Sequence, residues 1–95
     1  MQGPLSGIRI VDLSSVISGP VATVLLADQG ADVIKVEAPV GDIVRRMGRG
    51  HDSLSPAFVT ANRGKRSICV DLKEAAGVDV IKRLIREADV FIQNF

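Results

Sequence analysis

The sequence has no tryptophan, no tyrosine and only three phenylalanines, so the aromatic platforms on which nucleic-acid bases stack are scarce. Charge of one sign is not in excess: twelve Lys plus Arg against eleven Asp plus Glu leave a formal net charge of +1. No overall field therefore draws the chain to nucleic acid or to an anionic membrane, and any basic site must be local. A single cysteine, Cys69, excludes a disulfide within the chain and fits a reducing, cytoplasmic compartment. Cys69 sits in the alternating apolar run SICVD with no histidine beside it, which reads as a buried structural thiol. The one histidine, His51, has no Cys/His spacing around it, so no metal site is expected, and it reads as a solvated loop residue. Long hydrophobic runs are also missing. The longest stretch without a charged residue, Leu13 to Ala27, contains Ser14, Ser15, Ser18, Gly19 and Pro20 and falls short of the ~20 apolar residues of a membrane span. The opening MQGPLSGIRIVD lacks the basic start and apolar stretch of a secretory signal.

What is present is material for one small core: 95 residues, 46% hydrophobic and 24% charged. Ile8 to Leu13 reads as a short buried strand ending at a serine pair. Pro20 suits the first turn of a helix, which is expected to run to about Gln29, with Ser18 as its cap and Gly30 as a left-handed stop. Its residues are apolar nearly all round, so burial on more than one face is expected. Asp32 to Glu37 makes a second strand. Ala38 to Ser55 has no clean period and reads as a long loop, the kind of segment that often carries function. Ser55-Pro56 opens a short helix through about Ala61. A third strand covers Ser67 to Leu72, an amphipathic helix Glu74 to Ala88, and a fourth strand Asp89 to Phe95. The order β-α-β-α-β-α-β implies an α/β fold with a Rossmann-like parallel sheet, incomplete after its last strand. Ligands of such sheets sit beyond the carboxyl ends of the strands, here after Asp12, Glu37 and Asp71 and at Asn94.

Several groups near those ends invite a chemical reading. The turn from Ser14 to Pro20 joins a strand end to a helix start, a geometry that suits an anion but equally suits ordinary capping by Ser18. It matches neither the phosphate-binding loop of nucleotide hydrolases nor the dinucleotide fingerprint, and Gly48-Arg49-Gly50 gives no better one. Asp71 and Glu74 have capping-box spacing, which places Lys73 in a first helical turn where a cation opposes the dipole. Either Lys73 is solvated there or it is half of a phosphate site. Arg45, Arg46 and Arg49 form one basic cluster and Arg63, Lys65 and Arg66 another; either can hold phosphates. Asp12, at the end of the first strand, reads either as a buried acid or, in preference, as a cap on the serine-rich turn, and Asp42 as a solvated loop residue. No Ser-His-Asp order or pair of catalytic carboxylates can be argued.

Taken together, LSGIRIVDLSSVISGPVATVLLADQGADVIKVEAPVGDIVRR, then ANRGKRSICVDLK, then ADVFIQNF resemble the N-terminal part of the class III CoA-transferase family. That family includes formyl-CoA transferases, carnitine CoA-transferases and alpha-methylacyl-CoA racemases. The Gly-Pro helix start, GADVIKVE, the Gly-Asp after it, NRGKRS and the DLK after the third strand occur in order across essentially the whole chain. The resemblance implies that residues 1–95 are the N-terminal part of a CoA-binding large domain in a longer enzyme, inactive as a fragment, whose subunits interlace as a homodimer. It implies an acyl-CoA:carboxylate CoA-transferase with an acyl-CoA and a carboxylic acid as substrates and no tightly bound cofactor. The nucleophile is then an aspartate beyond Phe95, and no catalytic residue is assigned within the chain. Carried over position by position, CoA contacts fall on Ile17 and Ser18, on Val70, Asp71, Leu72 and Lys73, and on Asn94 and Phe95. Formyl-CoA transferases have a glutamine where Ile17 stands and a CoA-contacting arginine where Ala38 stands, which points away from a formyl or oxalyl substrate. The long Arg-bearing loop is closer to the transferases than to the racemases. A racemase on the same scaffold and a non-catalytic nucleotide-binding module are the alternatives.

Overall fold

Along β1 (Arg9–Asp12) and β2 (Asp32–Glu37), successive side chains alternate between two covered faces of a parallel sheet. Ile10 and Val33 pack with Ala27 and Ala31 on one face, whereas Val11, Leu13 and Val36 pack with Val70 and Ile81 on the other. The first face carries α1 (Ser18–Asp28) and the second α3 (Ala75–Arg86). The computed structural model describes residues 3–48 and 54–95, so Arg49, Gly50, His51 and the readings placed on them lie outside the described residues.

Four parallel strands lie in the order β3-β2-β1-β4, with β3 at Arg66–Cys69 and β4 at Val90–Ile92. The expected α/β, Rossmann-like sheet is therefore present. The chain steps outward from β1 to β3 and then returns to place β4 on the far side of β1. This reversal is the switch point at which such sheets open a crevice beyond their carboxyl ends. A 3-10 turn (Ile43–Arg46) and α2 (Pro56–Asn62) follow β2, and α2 packs against α1. No helix among the described residues is long and apolar enough to cross a membrane.

Several expectations are corrected. Helix α1 begins at Ser18 with Ile17 as its N-cap and no side-chain cap, so Ser18 lies within the helix. Pro20 is then the third helical residue, where its missing N–H is still one that the helix leaves unbonded. The helix buries Thr23, Val24 and Ala27, but Val21 and Leu25 are 39% and 54% exposed, because the sheet and α2 reach only one side. Helix α3 has Glu74 as its N-cap, which leaves Lys73 before the helix and overturns the capping-box reading. There Asp71 Oδ1 accepts the Lys73 N–H at 2.9 Å and the Asp71 carbonyl accepts the Glu74 N–H at 3.2 Å, closing a local turn that replaces the extra helical turn. Cys69 is exposed, since β3 is an edge strand whose Ile68 faces the α3 core while its neighbour faces outward.

Candidate functional site

Strand parity also brings charge together. Asp12, Lys35 and Glu37 share the α1 face with Ile10 and Val33, so that face changes from apolar to charged toward the carboxyl ends of the strands. All three are buried, and each is matched by named partners. Asp12 Oδ1 accepts the Ser14 N–H at 2.8 Å and the Ser14 hydroxyl, and Oδ2 accepts the Thr23 hydroxyl at 2.5 Å and Lys65 Nζ at 3.2 Å. Lys65 Nζ also donates to the Pro20 carbonyl at 3.1 Å and to Asn62 Oδ1 at 2.8 Å. Burial pushes the Asp12 carboxyl up, but the Ser14 and Thr23 hydroxyls, the Ser14 N–H and the Lys65 charge outweigh it and hold it below the usual value. Burial pulls the Lys65 ammonium below its usual value despite Asp12. Three acceptors around Nζ match its three protons.

A second buried group lies beside the first. Lys35 Nζ donates to the Ser14 carbonyl at 3.1 Å and to Asp42 Oδ2 at 2.9 Å. Asp42, read from sequence as solvated, is only 4% exposed; it caps the 3-10 turn through the Val44 N–H at 3.1 Å. Its own N–H donates to Glu37 Oε2 at 2.7 Å, and Glu37 receives Arg45 in two-pronged fashion, at 2.8 and 2.6 Å. Burial raises the Glu37 carboxyl, while Arg45, the Asp42 N–H and Lys35 bring it below its ordinary value. The Arg45 guanidinium also stacks 3.8 Å from the centre of the Phe58 ring.

Above this polar floor the carboxyl ends of β1, β2 and β3 surround a cavity of about 180 Å³. Its walls are mostly apolar, with Leu13, Val36, Ile43, Val70, Leu72 and Phe95 around Ser14 and Ser15, and Lys35, Glu37 and Asp42 reach it from below. Of the sequence-predicted contact residues, Val70, Leu72 and Phe95 line this cavity. Asn94 holds Ser15 at the rim: its Oδ1 accepts the Ser15 N–H at 3.1 Å and its Nδ2 donates to the Ser15 carbonyl at 2.8 Å. Ile17 and Ser18 are exposed at the start of α1, and Asp71 and Lys73 lie in the β3–α3 turn; none of these four lines the cavity.

The two basic clusters are mostly engaged within the protein. Arg45 pairs with Glu37, Arg46 donates to the Val40 carbonyl, Arg63 pairs with Asp28, Lys65 with Asp12 and Arg66 with Asp32. Lys73 Nζ makes no ion pair among the described residues, which leaves it available to an anion. Sequence reasoning passed over Lys35 and Glu37, and it read Asp42 as solvated and Lys65 as a phosphate-binding cation where the structure buries both side chains against charged partners. A signal existed for the first two, since a lysine and a glutamate of equal parity within a strand expected to be covered on both faces need partners.

The model of CoA-transferase family III matches residues 5–95. The chain belongs to that family. A succinate–glutarate CoA-transferase of Agrobacterium fabrum is 51% identical over 97% of this chain and 25% of its own length. A formyl-CoA:oxalate CoA-transferase of Escherichia coli is 45% identical over 100% of this chain and 23% of its own. Among solved structures, a CAIB/BAIF family protein from Brucella suis superposes with a TM-score of 0.93 at 41% identity, covering 100% of this chain and 26% of that one. The family III chain described here thus spans about a quarter of the length of these relatives.

Proposed function

We propose that residues 1–95 are the CoA-binding portion of an acyl-CoA:carboxylate CoA-transferase, working within a longer protein. The observation that carries this reading is a family III chain whose cavity opens at the carboxyl ends of the central parallel strands, where such sheets receive nucleotide-like ligands. In this reading Val70, Leu72 and Phe95 form the apolar wall for the pantetheine arm. Asn94 fixes the rim, Ile17 and Ser18 face the thioester, and Asp71 shapes the turn that presents Lys73 to a CoA phosphate. The covalent step belongs to an aspartate outside this chain. Its carboxylate attacks the thioester carbonyl, an acyl-enzyme anhydride forms, and CoA leaves as the thiolate. Two copies interlace in the working enzyme, in the cytoplasm.

The relative whose name pairs succinate with glutarate is 51% identical, and the one named for formate and oxalate is 45% identical. Ile17 offers a small acyl group no hydrogen bond from its side chain. A longer dicarboxylic acid of the succinate or glutarate kind is therefore the proposed acceptor class.

The test uses the full-length enzyme with a dicarboxylyl-CoA donor and a second dicarboxylic acid. Formation of the new CoA ester is expected; solvent-deuterium exchange at the alpha carbon without transfer would instead make the enzyme a racemase. Replacement of Lys73 by Ala is expected to weaken CoA binding roughly three- to tenfold, a charge-assisted contact at an exposed site. An unaltered Kd removes the phosphate assignment.

A further inference from the structure

From the Ser14 N–H to the Val16 N–H, each backbone polar group is held by a side chain. Asp12 takes the Ser14 N–H, Lys35 the Ser14 carbonyl, Asn94 both groups of Ser15, and Asp42 the Val16 N–H through both carboxylate oxygens, at 3.1 and 3.2 Å. Val16 is also the one non-glycine residue at positive φ among the described residues, at 69°. For a β-branched side chain that region is strongly disfavoured, so the surrounding contacts must impose it. The next residue, Ile17, is the N-cap of α1 and has no side-chain cap of its own. The direction in which α1 leaves the strand is thus set at Val16.

We propose that Asp42 is a positioning residue that holds Val16 in the left-handed conformation and thereby sets where Ile17 and Ser18 stand against the thioester. The inference rests on the proposed function, which places those two residues at the thioester. Asp42 is itself fixed from three sides: Glu37 takes its N–H, Lys35 pairs with Oδ2, and the Val44 N–H occupies Oδ1. Arg45 secures Glu37 in turn. A rigid chain therefore runs from Arg45 through Glu37 and Asp42 to the backbone of Val16, along elements that do not themselves reach Ile17.

The mechanism makes a specific demand on a double-mutant comparison. Glycine adopts φ near +69° without steric cost, so Val16→Gly lessens the need for the Asp42 clamp. In the full-length enzyme, Asp42→Ala alone, which removes both acceptors of the Val16 N–H, is expected to lower kcat/KM for the acyl-CoA by about tenfold or more, as small misplacements near a reacting centre do. Introduced alongside Val16→Gly, the same substitution is expected to cost no more than about threefold relative to Val16→Gly alone. A purely structural role for Asp42 would instead give equal losses in both backgrounds, and that result overturns the inference. Should Asp42→Ala fold poorly because Lys35 loses its counter-charge, the pair Lys35→Met with Asp42→Leu removes both charges together and carries the same comparison. An unsubstituted enzyme without CoA-transferase activity overturns the functional reading and this inference with it. A working enzyme with equal losses overturns this inference alone.

Discussion

Asp12 and Lys65 show how far a buried charge depends on its partner. Both side chains are essentially inaccessible to water, at 0% and 1% exposure. Asp12→Ala strands the Lys65 ammonium against only the Pro20 carbonyl and Asn62, and is expected to cost about 3–5 kcal/mol in denaturant unfolding. Replacing both with apolar residues of similar size is expected to recover most of that loss; a double variant as unstable as Asp12→Ala would show that the pair stabilises in its own right. Acid acts on the same carboxylates. Asp12 and Glu37 titrate below their ordinary values of 3.8 and 4.5, so their stabilising contribution is complete above those values and is lost as pH falls through the lower, folded-state values. Stability should fall steeply between about pH 5 and about pH 2, and Arg45→Met should flatten that fall by removing the partner that depresses Glu37. Unfolding free energies measured across that range would decide it, and an unaltered slope in the variant would count against the Glu37–Arg45 assignment. These charges were legible only in part. The parity of Lys35 and Glu37 within one strand was visible, but nothing local indicated that Asp42, seven positions from Lys35, turns back onto it.

Helix ends carry the connections between elements. Ser55 behaves as the sequence suggested for α2, accepting the Phe58 N–H at 3.1 Å, and its hydroxyl also donates to the Val44 carbonyl at 2.5 Å. Ser55→Ala removes a cap worth about 1 kcal/mol and one of the two donors to the Val44 carbonyl, which keeps the Met47 N–H at 3.2 Å, so a loss of about 1–2 kcal/mol is expected in urea unfolding. A loss of only a few tenths would mean that the Phe58 N–H finds another acceptor. Gly77 in α3 offers a sharper contest. Alanine would ordinarily gain up to about 1 kcal/mol in a helix interior. Here, however, a Cβ at that position meets the Asp71 carbonyl at far less than contact distance. The overlap, costing about 1–3 kcal/mol, is expected to win, so Gly77→Ala should lower the melting temperature. If the β3–α3 turn contacts CoA as proposed, CoA affinity in the full-length enzyme should fall as well. The element boundaries around these ends were the least legible feature. Lys73 stands before α3 and Ser18 inside α1, because local turn bonds at Asp71 and the left-handed Val16 overrule capping spacing.

At the scale of the whole molecule, a four-stranded parallel sheet leaves β3 and β4 as edges, and apolar residues remain uncovered around it. Leu25 and Val59 are 54% and 49% exposed on α1 and α2, and Phe91 is 44% exposed on β4. Open edges and exposed apolar side chains favour pairing with other chains. The 95-residue chain prepared alone is therefore expected to sediment with a concentration-dependent mass, and a monomer at all concentrations would show that the edges are adequately protected. The sequence by itself determined the α/β class, the alternation of strands and helices and the carboxyl-end location of the cavity, because hydrophobic period and turn residues are local signals. It also carried the motifs by which the family resemblance was read. Only the tertiary structure decided that Lys35, Asp42, Asp12 and Lys65 form a buried polar floor and that Val16 is held left-handed above it. Those features depend on groups distant in sequence meeting where water is excluded, and there a charge must find its partner whatever its local context suggests.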